Sequence, residues 1–272
     1  MKLKLTAVIL TLIFFNTELK SQWILLQNSG AGRISDIEVH NNFLFASSES
    51  SGVFRSSDNG VNWVSVNSGM NTTYITCLAA NDFGVFASTG SGVFSSSDNG
   101  NNWNITNSGL SGGHFRKLTS VNNDIYSGHI LAGVFKTTNN GVNWFISQSG
   151  ITDNDIRCFV QQGKEIFCGT YGGGVFVTDN NGELWTSKSN GLQDLRIHAL
   201  SSDGVNLFAG TAGKGIHYLN NTGAWIPVNE GINDSNITSI AFKDKYIFAA
   251  SASGKIWKRL KSEIITKIAS IN

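Results

Sequence analysis

Beyond residue 21, apolar residues come in short runs that Gly, Asn, Ser and Asp interrupt every five to eight positions. A helix needs apolar positions three and four apart over ten or more residues, and punctuation this dense leaves no room for one. Residues 74–107 show the pattern best. Tyr74–Ala80 predicts a first strand and Asn81-Asp82-Phe83-Gly84 a turn. Val85–Thr89 predicts a second strand, Gly90-Ser91-Gly92 a turn, and Val93–Ser97 a third strand. Asp98-Asn99-Gly100 then reads as a tight turn, since Asn and Gly tolerate positive φ. Trp103–Asn107 predicts the fourth strand.

The pattern repeats. Gly-Val-Phe stands at 52–54, 92–94, 133–135 and 174–176, with variants at Gly215-Ile216-His217 and Gly254-Lys255-Ile256-Trp257. Trp recurs at 23, 63, 103, 144, 185 and 225. A period of about 40 built from short strands predicts the blades of a β-propeller. First strands align at Ile34, Ile75, Phe115, Ile156, Ile197 and Ile237. Only five fourth strands follow them, and a spare one, Trp23–Gln27, lies at the start. The count predicts an all-β, six-bladed propeller of four-stranded blades, closed by the N-terminal strand pairing with the C-terminal blade. Closure would remove the exposed strand edges that invite aggregation.

Composition agrees. Charged residues are 14% and Pro numbers one, while seven Trp and 17 Phe supply core, so disordered and collagen-like readings are excluded. Lys2 and Lys4 precede an eleven-residue apolar run, Leu5–Phe15, and a polar stretch to Ser21. That layout predicts a secretory signal peptide over 1–21, too short for a membrane span. The propeller then covers 22–260, and 261–272 form a short tail, read as a surface strand or frayed end. Removing the leader takes three lysines and one glutamate, shifting the net charge from +1 to −1. Such a balance offers no footprint for nucleic acid. A secreted or cell-surface protein is expected, with no transmembrane segment.

The tight turns carry a motif. Ser56-Ser57-Asp58-Asn59-Gly60-Val61-Asn62-Trp63 and Ser96–Trp103 fit Ser/Thr-x-Asp-x-Gly-x-x-Trp. Thr137–Trp144 and Thr178–Trp185 fit with Asn139 and Asn180 in the Asp place; Tyr218–Trp225 is degenerate, with Gly223 one place late. The motif resembles the Asp-box, or BNR repeat, of sialidase-like, sortilin-like and photosystem II assembly factor-like propellers, and of secreted bacterial proteins that often carry a type IX secretion sorting domain. The resemblance implies a structural role for Asp58, Gly60 and Trp63, for Asp98, Gly100 and Trp103, for Asn139, Gly141 and Trp144, and for Asn180, Gly182 and Trp185. The carboxylate or amide would bind turn N–H groups, the Gly would turn left-handed, and the Trp would cap the blade edge.

Starts of first strands line the mouth of a propeller's channel. The alignment puts Arg116, Arg157 and His198 at one level, Arg33 and Arg196 one residue earlier, and Tyr74 and Tyr171 nearby. Converging guanidinium groups can hold a carboxylate or sulfate. The same arginines could instead pair with Asp36, Asp155 and Asp194 and only solvate the rim. Three function classes stand: a non-enzymatic scaffold binding an anionic glycan, peptide or protein; a sialidase-like glycosidase, for which Tyr171, Glu49 and Glu230 could lie on the right face; and a purely structural surface protein. Arg33-Ile34-Ser35 lacks the Pro of the sialidase Arg-Ile-Pro motif. No catalytic residue, metal ligand or cofactor is assigned. The five His are dispersed and read as isolated surface or rim residues. Cys158 and Cys168 flank Gly163 symmetrically and are expected to face each other, either bridged or as free thiols filling small buried sites.

Overall fold

The computed structural model describes residues 32–264. The predicted leader, Trp23–Gln27 and the end of the tail lie outside the described residues. Among the described residues six antiparallel sheets follow in chain order, five of four strands and the last of three. Their first strands are Ile34–His40, Ile75–Ala80, Phe115–Val121, Ile156–Gln162, Ile197–Ser202 and Ile237–Lys243. All six begin at the aligned residues. Residues of all six first strands line one cavity of about 640 Å³, so the sheets surround a common axis.

The core lies between consecutive sheets. One cluster joins Phe45 and Val53 of the first sheet to Leu78, Val85, Ala87, Phe94 and Trp103 of the second. Trp103 does not cap an outer edge. It is 2% exposed, and its Nε1–H donates to the Val66 carbonyl of the preceding sheet at 2.8 Å. Trp144, Trp185 and Trp225 donate likewise to Thr106, Ser147 and Lys188. Each Trp thus fastens two sheets, with its apolar face buried and its one donor satisfied.

The tight turns explain the motif. Ser56 Oγ donates to Asp58 Oδ1 and accepts from Gly60 N, both at 2.8 Å, while Asn62 N donates to Asp58 Oδ1. Asn59 and Gly60 both have positive φ, 57° and 87°. Ser96 with Asp98, Thr137 with Asn139 and Thr178 with Asn180 repeat the arrangement, so an amide serves as well as a carboxylate. In the degenerate turn Asn220 Oδ1 accepts from Thr222 N and Ala224 N.

Fourth strands are shorter than predicted. Only Asn104 and Ile105 pair in the second sheet. Asn107 leaves the ladder because its side chain takes over: Oδ1 accepts from Val93 N and Nδ2 donates to Ser91 O. Trp103 leaves it at the other end, giving its backbone N–H to Ser68 O of the first sheet.

Three expectations need correction. Cys158 opposes Gly169, and Cys168 opposes Phe159. The turn is two residues, Gly163 and Lys164, so its centre falls between them and the cysteines are one register apart. Their side chains enter different core clusters, and both thiols are free. His129 and His217 are buried rather than superficial. His129 stands where other sheets have Ser48, Thr89, Thr170 or Thr211, and like those hydroxyls its Nδ1 accepts from loop N–H groups, at Leu131 and Ala132. His217 replaces the Phe of Gly-Val-Phe. Finally, 261–264 form a helical turn rather than a strand, and Ile264 is buried in the last core cluster.

Candidate functional site

Each first strand carries a β-bulge at its start. Ile156 pairs with Thr170 and Cys158 with Gly169, which leaves Arg157 unopposed. The same shift leaves Ser35, Thr76, Arg116, His198 and Thr238 unopposed in the other sheets. A bulge bends the strand and re-aims the extra side chain. Ser35 Oγ donates to the Ile75 carbonyl and Thr76 Oγ1 to the Phe115 carbonyl, each at 2.7 Å, so these hydroxyls join a sheet to the next. In the third, fourth and fifth sheets the bulge instead holds Arg116, Arg157 and His198.

These three residues, with Arg33 and Tyr74, line a basin of about 470 Å³ at the mouth of the axial cavity. Glu49, His114 and Lys117 line it too. Tyr171 and Arg196 are not among its lining residues but stand against it. The Tyr171 ring is parallel to that of His198, with centroids 5.8 Å apart, and the Arg157 guanidinium lies 4.2 Å from the Tyr171 centroid. His198 Nδ1 meets Asn236 Oδ1 at 3.1 Å. Burial lowers the His198 pKa, and the neighbouring Arg157 charge adds to that.

The arginines differ in their acidic partners. Arg157 Nη2 meets Asp155 Oδ2 at 2.6 Å. Arg196 grips both oxygens of Asp194, each at 2.9 Å, and these hydrogen bonds hold the Asp194 carboxyl below its usual range. Arg33 meets Glu49 at 3.1 Å. Asp36 pairs with none of them: its Oδ2 accepts from Leu78 N at 3.0 Å and from Cys77 Sγ at 2.9 Å, inside the axial cavity. Among the described residues Arg116 has no acidic partner and is exposed. It therefore presents a guanidinium to the basin with its donors uncommitted. Lys117 adjoins it, its pKa raised by Coulombic coupling to the Cys77 sulfur and, after that, to Asp36.

Of the carboxylates considered for hydrolysis, Glu49 lies in the basin but is tied to Arg33. Glu230 pairs with Arg259 and lines a different cavity between the last two sheets. Among the described residues no group of three His, Cys, Asp or Glu could hold a metal ion. Sequence reasoning did not single out Lys117 as a basin residue and read His114 only as one of the dispersed surface or rim histidines, since the repeat alignment marks the residues at the bulge and not their chain neighbours.

No family model matches the chain, and no curated protein matches it significantly. Solved structures do. YCF48 bound to D1 peptide has 12% identity and a TM-score of 0.67, covering 87% of this chain and 80% of that one. The extracellular domain of a hybrid two-component system from B. thetaiotaomicron has 16% identity and a TM-score of 0.66, covering 88% and 34%. The GH74 xyloglucanase from Xanthomonas campestris has 14% identity and a TM-score of 0.67, covering 88% and 45%. The fold is a β-propeller. The chain spans only a third to a half of the latter two proteins, and identities this low carry the fold alone. Among the described residues no helix is long and apolar enough to cross a membrane.

Proposed function

We propose that the chain is an exported, non-enzymatic Asp-box propeller of six blades, closed by its N-terminal strand, whose mouth binds an anionic group on a glycan, peptide or protein. One observation carries this reading: Arg116 projects from a bulge into a basin of about 470 Å³ with no acidic partner among the described residues. Arg157, His198 and Tyr74 flank it with one further cation and two flat rings. A guanidinium so placed suits a planar carboxylate or a sulfate, which it can hold by two parallel hydrogen bonds. YCF48, a neighbour in fold, is bound to a peptide, which supports the recognition reading.

A glycan array carrying sialylated, sulfated and neutral sugars, run beside peptides with free and amidated C-termini, tests the proposal. Binding restricted to anionic probes and weakened at least tenfold by Arg116→Ala is the expected result. Equal binding of charged and neutral probes, or binding indifferent to Arg116→Ala and Arg157→Ala together, overturns it. Turnover of a fluorogenic sialoside that is lost in Arg157→Ala would move the protein to the hydrolases.

A further inference from the structure

The basin and the axial cavity form one continuous space, because Lys117, His198 and Thr238 line both. Charge along it is uneven. At the basin end Arg33 is tied to Glu49 and Arg157 to Asp155, which leaves Arg116 and Lys117 as surplus cations. Deeper in, the first strand of the first sheet contributes two carboxylates, Asp36 and Glu38, and Lys117 alone among the lining residues is a Lys or Arg. Cys77 and Cys158 also stand in the wall, and burial keeps their thiols neutral by pushing them up to about 12. The axis thus runs from positive at the mouth to negative within.

The two carboxylates differ in their partners. Asp36 Oδ1 accepts from Ile37 N, its Oδ2 accepts from Leu78 N and Cys77 Sγ, and Lys117 is Coulombically coupled to it. Glu38 accepts from its own neighbour, Val39 N, at 3.2 Å, and among the described residues it meets no cation. It is half-buried, and burial, followed by the Asp36 charge, raises its pKa. A carboxylate in that state gains most from a cation brought to it.

The spacing selects the ligand. Arg116 stands at the bulge, in the repeat position of Ser35. Glu38 lies three residues along from Ser35, about 10 Å deeper at roughly 3.3 Å per residue. In a lysine, six bonds separate the carboxyl carbon from the ammonium, about 7–8 Å when extended. A hydrogen bond of about 2.8 Å at each end covers that depth. An anion without a basic arm leaves Glu38 unanswered. A free α-ammonium would sit beside Arg116 and Lys117 and be repelled, whereas the amide nitrogen of a chain would not. We infer that the mouth takes the α-carboxylate of a peptide chain ending in Lys or Arg, held by Arg116 and Lys117, with the basic side chain running down the axis to Glu38. The inference rests on the anion-binding reading of the mouth and adds to it the residue that chooses among anions.

Fluorescence anisotropy with the full chain separates the two ideas. The probes are fluorescein-labelled triglycine peptides extended by a C-terminal Lys, Arg, norleucine or Lys-amide. The Lys and Arg peptides are expected to bind at least tenfold more tightly than the norleucine peptide, and the amide at least tenfold more weakly than the free acid. Glu38→Gln should bring the Lys peptide down to the norleucine level while leaving norleucine binding unchanged, which also shows that the variant is folded. Arg116→Ala should weaken every free-acid peptide. Equal binding of the Lys and norleucine peptides, both weakened by Arg116→Ala, upholds the anion site and overturns the inference. Loss of norleucine binding in Glu38→Gln overturns it too, since Glu38 would then be structural. Free lysine displacing the Lys peptide as well as Nα-acetyl-lysine does would overturn the assignment to a chain end. If no free-acid peptide binds, the inference falls, and the anion site is judged on the glycan array alone.

Discussion

Arg157 lies over the face of Tyr171, 4.2 Å from its centroid, while Asp155 holds the same guanidinium at 2.6 Å. The residue is thus held on two sides, by a ring and by a carboxylate two positions back in the chain. Arg116, one sheet away at the same bulge, has neither. Arg157→Ala should therefore cost stability, roughly 1–3 kcal/mol, from the lost cation–π contact and the stranded Asp155. Arg116→Ala should stay within about 0.5 kcal/mol of the parent. Urea unfolding of the two variants checks both. A large loss in Arg116→Ala would mean that its role is structural.

His217 is fully buried, and burial pushes its pKa down from 6.5 to about 4. As pH falls, the unfolded chain takes up this proton first. Stability is whole above about pH 6.5, declines through the interval and levels off below about pH 4, a loss of order 3 kcal/mol from this residue. His217→Phe, which restores the residue of the four Gly-Val-Phe copies, should flatten the profile over that range. Urea midpoints from pH 4 to 7.5 provide the measurement, and an unchanged slope would refute the assignment.

Trp185 is 1% exposed and donates to the Ser147 carbonyl at 2.8 Å. Trp185→Ala should cost about 3–5 kcal/mol through the cavity it opens. Trp185→Phe keeps much of the packing and leaves the carbonyl without its donor, so it should cost less. Thermal unfolding by calorimetry ranks the three proteins. Equal losses would show that packing contributes little.

All three cysteines are free and buried, and burial pushes the Cys77 and Cys158 thiols up to about 12. None should react with a thiol-specific disulfide reagent in the native protein, and all three should react in denaturant, without added reductant. A count below three in denaturant would reveal a bridge.

Much of the frame was legible because each repeat spells out its strands and turns with the same few residues. Strand starts such as Ile156 and Ile197 follow from the glycine and tryptophan spacing alone. The bulges were not legible. A single unopposed residue at Arg157 changes which neighbours share a face, and apolar alternation over seven residues cannot register it. The cysteine pairing failed for a similar reason, since a two-residue turn shifts every partner by half a step from a count centred on Gly163. Burial of His129 and His217 could have been read by aligning the repeats in columns, where each stands in a column of interior residues. The Arg–Tyr–His stack drew members from three loops and strands, and its order in space followed only from the sheets' arrangement.

The unopposed position at the head of each first strand has one more consequence. Because that residue belongs to no ladder, its identity is decoupled from strand register, and Ser, Thr, Arg and His all occur there on the same backbone. Where that side chain ties no two sheets together, as at Arg116 and unlike Ser35 and Thr76, such a frame can exchange the chemistry of one module without disturbing strand register.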